Sequence, residues 1–212
     1  YAGIGVWRAA FKPLVDRIAD TDIRLQWFCC DRSTGVTDDS GNRITLIRDT
    51  QSPVAVEYQA VKFIGTGRDN IKAGVFSGWE LGDYIYLRSE EAYMIKMEAL
   101  AHKGSAEAVT ELNSFMKTRQ PDYNYTFTNK ADLIEEIIYQ KRVEFWGEGL
   151  EYIDNRRLNI PVDRTDETWG AENNNHFSAG KFRYNQEDRP FLYQLPLSEI
   201  ENNSQLSPSD QN

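Results

Sequence analysis

Glu144 and Glu148 stand four residues apart in a stretch of helical pattern, so their carboxylates share one helix face. Paired carboxylates can hydrolyse a glycosidic bond, one as acid and one as nucleophile or base, roughly 5 Å apart for retention and further for inversion. The neighbourhood argues for another use. Lys141, Arg142, Arg156 and Arg157 lie close in sequence, and mixed clusters of this kind form ion pairs between packed helices. A general acid needs a raised pKa, and nearby arginines lower it. A hydrolytic pair also normally sits on separate elements facing across a cleft.

A second set of candidates lies in a turn-rich stretch, where Trp169, Asn173, Asn174, Asn175, Phe177, Arg183 and Tyr184 fall within sixteen residues, 169–184. Flat aromatic rings cover the apolar faces of pyranoses, while planar amides and guanidinium groups meet their hydroxyls. Loops carry such groups more often than helices do. Trp79, between Gly78 and Gly82, is a further candidate of the same type. For each of these aromatics the competing use is to pin a long loop onto the body of the protein.

Other chemistries find less support. Asp31, Asp38, Asp39 and Asn42 offer oxygen ligands to calcium, but their spacing is not that of an EF-hand, and a solvated polar loop is the expectation. Cys29 and Cys30 read either as a strained vicinal disulfide or as two thiols buried beside Trp27 and Phe28, the commoner outcome. His102 and His176 are too far apart for a paired-histidine zinc motif, and His102 suits the surface at a helix C-terminus. No cofactor and no metal site is expected. With 24 basic against 33 acidic residues and a net charge of −9, the chain lacks the excess of cations that nucleic-acid binding needs. Hydrophobic residues make up 40% of the 212, enough for a core. Charged residues interrupt every apolar run well before the ~20 residues of a membrane-spanning helix.

The elements that must position these residues are mostly helical. Pro13 suits the start of a short helix that carries Leu14, Val15 and Ile18. Residues 20–82 read as extended pieces and loops, with β-prone runs at 23–29, 44–47 and 54–63. From residue 83 the helical pattern is strong. Leu87, Met94, Met97 and Ala101 form one stripe, Gly104 ends it, and Ser105 caps the next helix. That helix buries Ala108, Val109, Leu112, Phe115 and Met116, and so short a turn sets the two helices antiparallel. Asn129 caps a third helix lined by Leu133, Ile134, Ile137, Ile138 and Phe145, with Gly147 and Gly149 breaking the chain before a shorter fourth helix. Ser198 with Glu201 fits a last capping box. The expectation is a mainly α fold: irregular tetratricopeptide-like helical hairpins with long loops and a few short strands, the repeat exceeding the ~34 residues of the plain motif. Residues 1–82 form a loop-rich segment packed on the helical body, 83–158 two helical hairpins, and 159–212 a loop-rich C-terminal segment, together one domain without its N-terminal part.

Four stretches in order resemble one family. YLRSEEAY at 86–93 with Glu98, Ala99 and Gly104 is similar to its first signature helix, and Leu112 and Asn113 with Arg119 to its second. QKRVEFWGEG at 140–149, followed by Tyr152, Asp154 and Arg157, resembles its third motif, although Leu150 replaces the polar residue after the Glu-Gly pair. LPLSEI at 195–200 and Gln211-Asn212 resemble its C-terminus, and Asp22-Ile23-Arg24 echoes an upstream element. The family is SusD/RagB, surface glycan-binding lipoproteins of Gram-negative glycan-utilisation systems. The resemblance implies a C-terminal part of such a protein at the cell outer membrane, anchored by a lipid on the missing N-terminus. It implies non-catalytic binding of oligosaccharide or polysaccharide and delivery to a SusC-like TonB-dependent transporter. The alternatives are a helical-repeat scaffold that binds peptide or protein, and a glycoside hydrolase using Glu144 and Glu148.

Overall fold

The computed structural model describes residues 10–29, 58–60, 62, 86–188 and 194–210. Trp79, the Asp31, Asp38, Asp39 and Asn42 loop, and the side chains of Cys29 and Cys30 lie outside the described residues. The described chain is mainly helical, with a few very short strands. It divides into one compact unit ending at Glu148 and another beginning at Gly149.

The first unit opens with α1 (Lys12–Asp16), which Pro13 starts, at a position where its missing N–H is no loss. A 3-10 turn, Ile23–Trp27, follows where the β-prone composition predicts an extended piece. The reason is local: the Asp22 side chain accepts from the Arg24 N–H at 2.9 Å and so caps the turn. Strand β1 (Phe28–Cys29) then pairs antiparallel with β2 (Gln59–Ala60).

Three longer helices complete the unit: α2 (Ser89–His102), α3 (Glu107–Lys117) and α4 (Lys130–Glu144). Helix α2 buries Met94, Met97 and Ala101, as the stripe predicts. Leu87 does not join them. It precedes the helix and stands 71% exposed, because the helical turn begins only at Ser89. Gly104, at φ +72°, turns the chain, and the Ser105 hydroxyl accepts from the Glu107 N–H at 3.3 Å. Lys96 reaches from α2 to Glu111 of α3 at 2.7 Å. Asn129 caps α4 by accepting from the Asp132 N–H at 3.0 Å.

Helix α4 is the central element. It packs against α2 on one side. On another, Tyr139 and Val143 join Ala10, Val15, Ile18, Leu25, Phe28 and Tyr58 in one apolar cluster. Trp146 closes that cluster edge-on against Phe28, with ring centroids 5.7 Å apart.

In the second unit, α5 (Leu150–Leu158) is bracketed by two left-handed residues, Gly149 at φ +86° and Asn159 at φ +54°. Strands β3 (Val162–Asp163) and β4 (Arg183–Tyr184) pair antiparallel, with Asp163 opposite Arg183. Helices α6 (Asp166–Trp169) and α7 (Leu197–Asn202) are short. Helix α7 starts after Pro196 without the side-chain cap that Ser198 suggests. Much of the interior is polar: Asp154, Asn155, Asn174 and Gln186 are buried. Gln186 donates to the Ile160 carbonyl, and Arg156 donates to the Gln186 carbonyl at 2.6 Å. No described helix is long and apolar enough to cross a membrane.

Candidate functional site

Arg88, Glu90, Arg119, Glu144 and Glu148 of the sequence motifs converge inside the first unit, whereas Asp154 and Arg157 of the third motif pair with each other in the second. Glu144, at the end of α4, is fully buried, yet both of its oxygens are occupied. Its Oε1 accepts from Arg88 at 2.9 Å and from Arg119 at 3.1 Å. Its Oε2 accepts from Arg119 at 3.2 Å and lies 3.5 Å from Arg24. Glu148 accepts from Arg88 at 2.9 and 3.0 Å and from Lys62 at 2.5 Å. Arg119 also reaches Glu90 at 3.2 Å, and Arg24 forks onto Asp22. Arg24, Lys62, Arg88 and Arg119 therefore face Asp22, Glu90, Glu144 and Glu148, four charges of each sign.

Burial pushes the Glu144 carboxyl up, but hydrogen bonds from Arg119 and Arg88 and the surrounding positive charge outweigh it. The group sits below its ordinary 4.5. Burial likewise pulls the Lys62 ammonium below 10.5 against the attraction of Glu148. A carboxyl held ionised and sealed from solvent has no proton to lend at neutral pH, so Glu144 is built to order charges and not to act as a general acid. Removing one member of such a cluster strands the others in a low dielectric.

The turn-rich stretch forms its own arrangement in the second unit, organised by Asp163. Its carboxylate accepts from the Thr165 N–H at 3.0 Å, the Thr165 hydroxyl at 2.8 Å, the Thr168 hydroxyl at 2.7 Å and Arg183 at 2.9 Å. Its backbone carbonyl accepts from the Trp169 indole at 3.0 Å. Burial pushes the Asp163 carboxyl up, but the bonds from Thr168 and Thr165 and the charge of Arg183 win and hold it below 3.8. Asp163 thus fixes Trp169 and Arg183 together, although its role is visible in sequence only as the Asp-x-Thr spacing of an Asx turn.

The predicted site residues fare differently from one another. Trp169 is 37% exposed, Phe177 76% exposed, and the Arg183 side chain is also open to solvent. Phe177 lies over Gly180, where an added Cβ would meet its ring at 3.3 Å. Tyr184 is half-buried against Phe182, with centroids 4.7 Å apart. Asn174 is buried, and its amide is fully committed. It donates to the Arg164 carbonyl at 2.9 Å and to Asp166 at 2.8 Å, and accepts from the His176 N–H at 3.2 Å. Lys181 grips Asp166 at 2.7 and 2.8 Å. Among the described residues, then, the surface of this stretch carries the rings of Trp169 and Phe177, the guanidinium of Arg183 and the exposed Asn173 and Asn175, with Asn174 holding the loop beneath.

These features define a mainly helical protein in which Arg88, Arg119, Glu144 and Glu148 are locked together inside one unit and the aromatic loop lies in another. The sequence model of the SusD family matches residues 57–212, and the chain belongs to that family. No curated protein matches it. A solved structure from Bacteroides vulgatus, described as a SusD-like carbohydrate binding protein, is 24% identical with a TM-score of 0.47. The match covers 62% of this chain and 31% of that one, so this chain spans about a third of that relative's length.

Proposed function

We propose that this chain binds oligosaccharide or polysaccharide outside the cell without catalysing a reaction, as part of an outer-membrane glycan-capture lipoprotein that hands its ligand to a SusC-like TonB-dependent transporter. The observation that carries this reading is membership of the SusD family across residues 57–212. The solvent-facing Trp169, Phe177 and Arg183 on a braced loop support it, since they supply ring faces and a hydroxyl-binding group. The non-catalytic part is supported by Glu144, which ion pairs consume entirely. The α2–α3 pair followed by α4 supports a tetratricopeptide-like scaffold as the frame.

Retardation of the purified chain in native gels cast with a panel of polysaccharides tests the reading. Retardation by at least one neutral or acidic glycan, with no release of reducing ends on incubation, is expected. Release of reducing ends by the wild-type chain would replace it with the hydrolase reading. A second reading, a protein- or peptide-binding scaffold, draws on the exposed Tyr93 and Ile95 of α2. Stable capture of a defined partner protein with no glycan retardation would favour it.

A further inference from the structure

Two stretches of the chain have the form Asn-x-Ser/Thr without proline between, the acceptor pattern for N-linked glycosylation: Asn124-Tyr125-Thr126 and Asn202-Asn203-Ser204. The pattern is short, so the way the fold presents it decides its use. Asn202 lies in the last turn of α7, and its amide is committed, donating to the Ser198 carbonyl at 2.7 Å.

Asn124 is presented differently. It sits between α3 and α4, outside helix and strand. Burial alternates along this loop: Tyr123 and Tyr125 are half-buried, while Asn124 and Thr126 are exposed. Residues two apart in an extended chain share a face, so the acceptor amide and the hydroxyl that completes the pattern come to the surface together. Tyr123 and Tyr125 hold that alternation. The Tyr123 hydroxyl donates to Glu136 of α4 at 2.8 Å. Asn113 of α3 accepts from the Tyr125 N–H at 2.7 Å and donates to the Tyr125 carbonyl at 3.0 Å. Among the described residues no bond occupies the Asn124 amide or the Thr126 hydroxyl. Asp122, two positions ahead, is exposed as well and extends the pattern to Asp-x-Asn-x-Thr, the acidic form that bacterial transferases accept.

We propose that Asn124 is a modification site and carries an N-linked oligosaccharide. The co-reactant is an oligosaccharide on polyprenyl diphosphate. The Asn124 amide nitrogen bonds to the anomeric carbon, the bond from that carbon to the diphosphate oxygen breaks, polyprenyl diphosphate leaves, and the displaced amide proton passes to a base of the transferase. A bulky, hydrated group there would shield Phe127, which is 53% exposed three residues on. The inference rests on the extracellular placement proposed above, because such transfer takes place beyond the inner membrane; it is independent of the Trp169 loop.

Mass spectrometry of tryptic peptides from the protein isolated out of the envelope of the cells that make it tests the proposal. Cleavage after Arg119 and Lys130 puts Asn124 in one peptide, 120–130. That peptide should carry a hexose-containing mass increment on Asn124, and the peptide with Asn202 should carry none. Thr126→Val and Asn124→Gln, at exposed positions without bonds, should each abolish the increment and leave the melting temperature unchanged. The purified chain, incubated with a bacterial oligosaccharyltransferase and a polyprenyl-diphosphate oligosaccharide, should gain the same linkage at Asn124. An unmodified 120–130 peptide from the envelope, modification at Asn202 instead, or an increment that survives Thr126→Val would each overturn the proposal; glycan retardation of the same preparation would leave the binding reading standing. Recovery of the protein only from the cytoplasm would remove both.

Discussion

Arg119 and Glu144, 25 positions apart, join through two charge-assisted hydrogen bonds of 3.1 and 3.2 Å in a site sealed from solvent. The bond ties the end of α3 to the end of α4, and Arg88, just before α2, completes the triangle at 2.9 Å. Three of the sequence motifs thus meet at one carboxylate. Their shared residues serve the frame.

Glu144→Gln should therefore cost about 3–5 kcal/mol of stability, because it leaves three arginines facing an uncharged amide. Urea denaturation monitored by helical circular dichroism measures this. Glu135→Gln, on the exposed side of the same helix, should stay within about 0.5 kcal/mol of wild type.

The same carboxyl sets an acid limit. Its folded pKa lies below 4.5, so its contribution to stability is complete above that value and disappears as pH falls through the depressed one. A carbon-detected NMR titration of the Glu144 carboxyl should find a midpoint below 4.5. A midpoint at or above 4.5 would mean that burial, and not the arginines, dominates.

His176 gives the second unit a milder pH response. Burial, then the charges of Arg164 and Lys181, lower its pKa from 6.5. The unfolded chain binds the proton more readily, so the contribution is full above pH 6.5 and is lost as pH falls toward the depressed value. Hydrogen exchange at the His176 amide should accelerate between pH 6.5 and 5 beyond the intrinsic trend, and His176→Gln should flatten the difference.

Asn113 is the brace of the loop after α3. Asn113→Ala removes both bonds to the Tyr125 backbone and leaves that N–H without its acceptor. A loss of about 1–3 kcal/mol is expected. Faster amide exchange at Tyr125, with α4 still protected, would localise the effect to the loop; uniform loss of protection would show that the loop is integral to the whole unit.

What could be read in advance was what short-range chemistry determines. The Asn129 cap, the glycine turn at 104, Pro13 at a helix start and the burial of Met94 and Met97 each depend on residues within a few positions. The ion-pair reading of Glu144 came from the neighbouring Lys141 and Arg142, yet its partners are Arg24, Arg88 and Arg119, which only tertiary folding brings together. Strands β3 and β4 left no periodic signal because each is two residues long. At the candidate loop, composition drew attention to the right stretch but could not separate the exposed Phe177 from Asn174, whose amide is consumed by Arg164 and Asp166.

Calorimetric titration of the purified chain with oligosaccharides of varied linkage, alongside Phe177→Ala and Trp169→Ala, bears most directly on the central claim. Phe177 is largely exposed, so its removal should leave stability within about 0.5 kcal/mol while weakening glycan binding about tenfold. Binding of at least one oligosaccharide that both variants impair is the predicted result. A folded protein that takes up none of them would contradict the account.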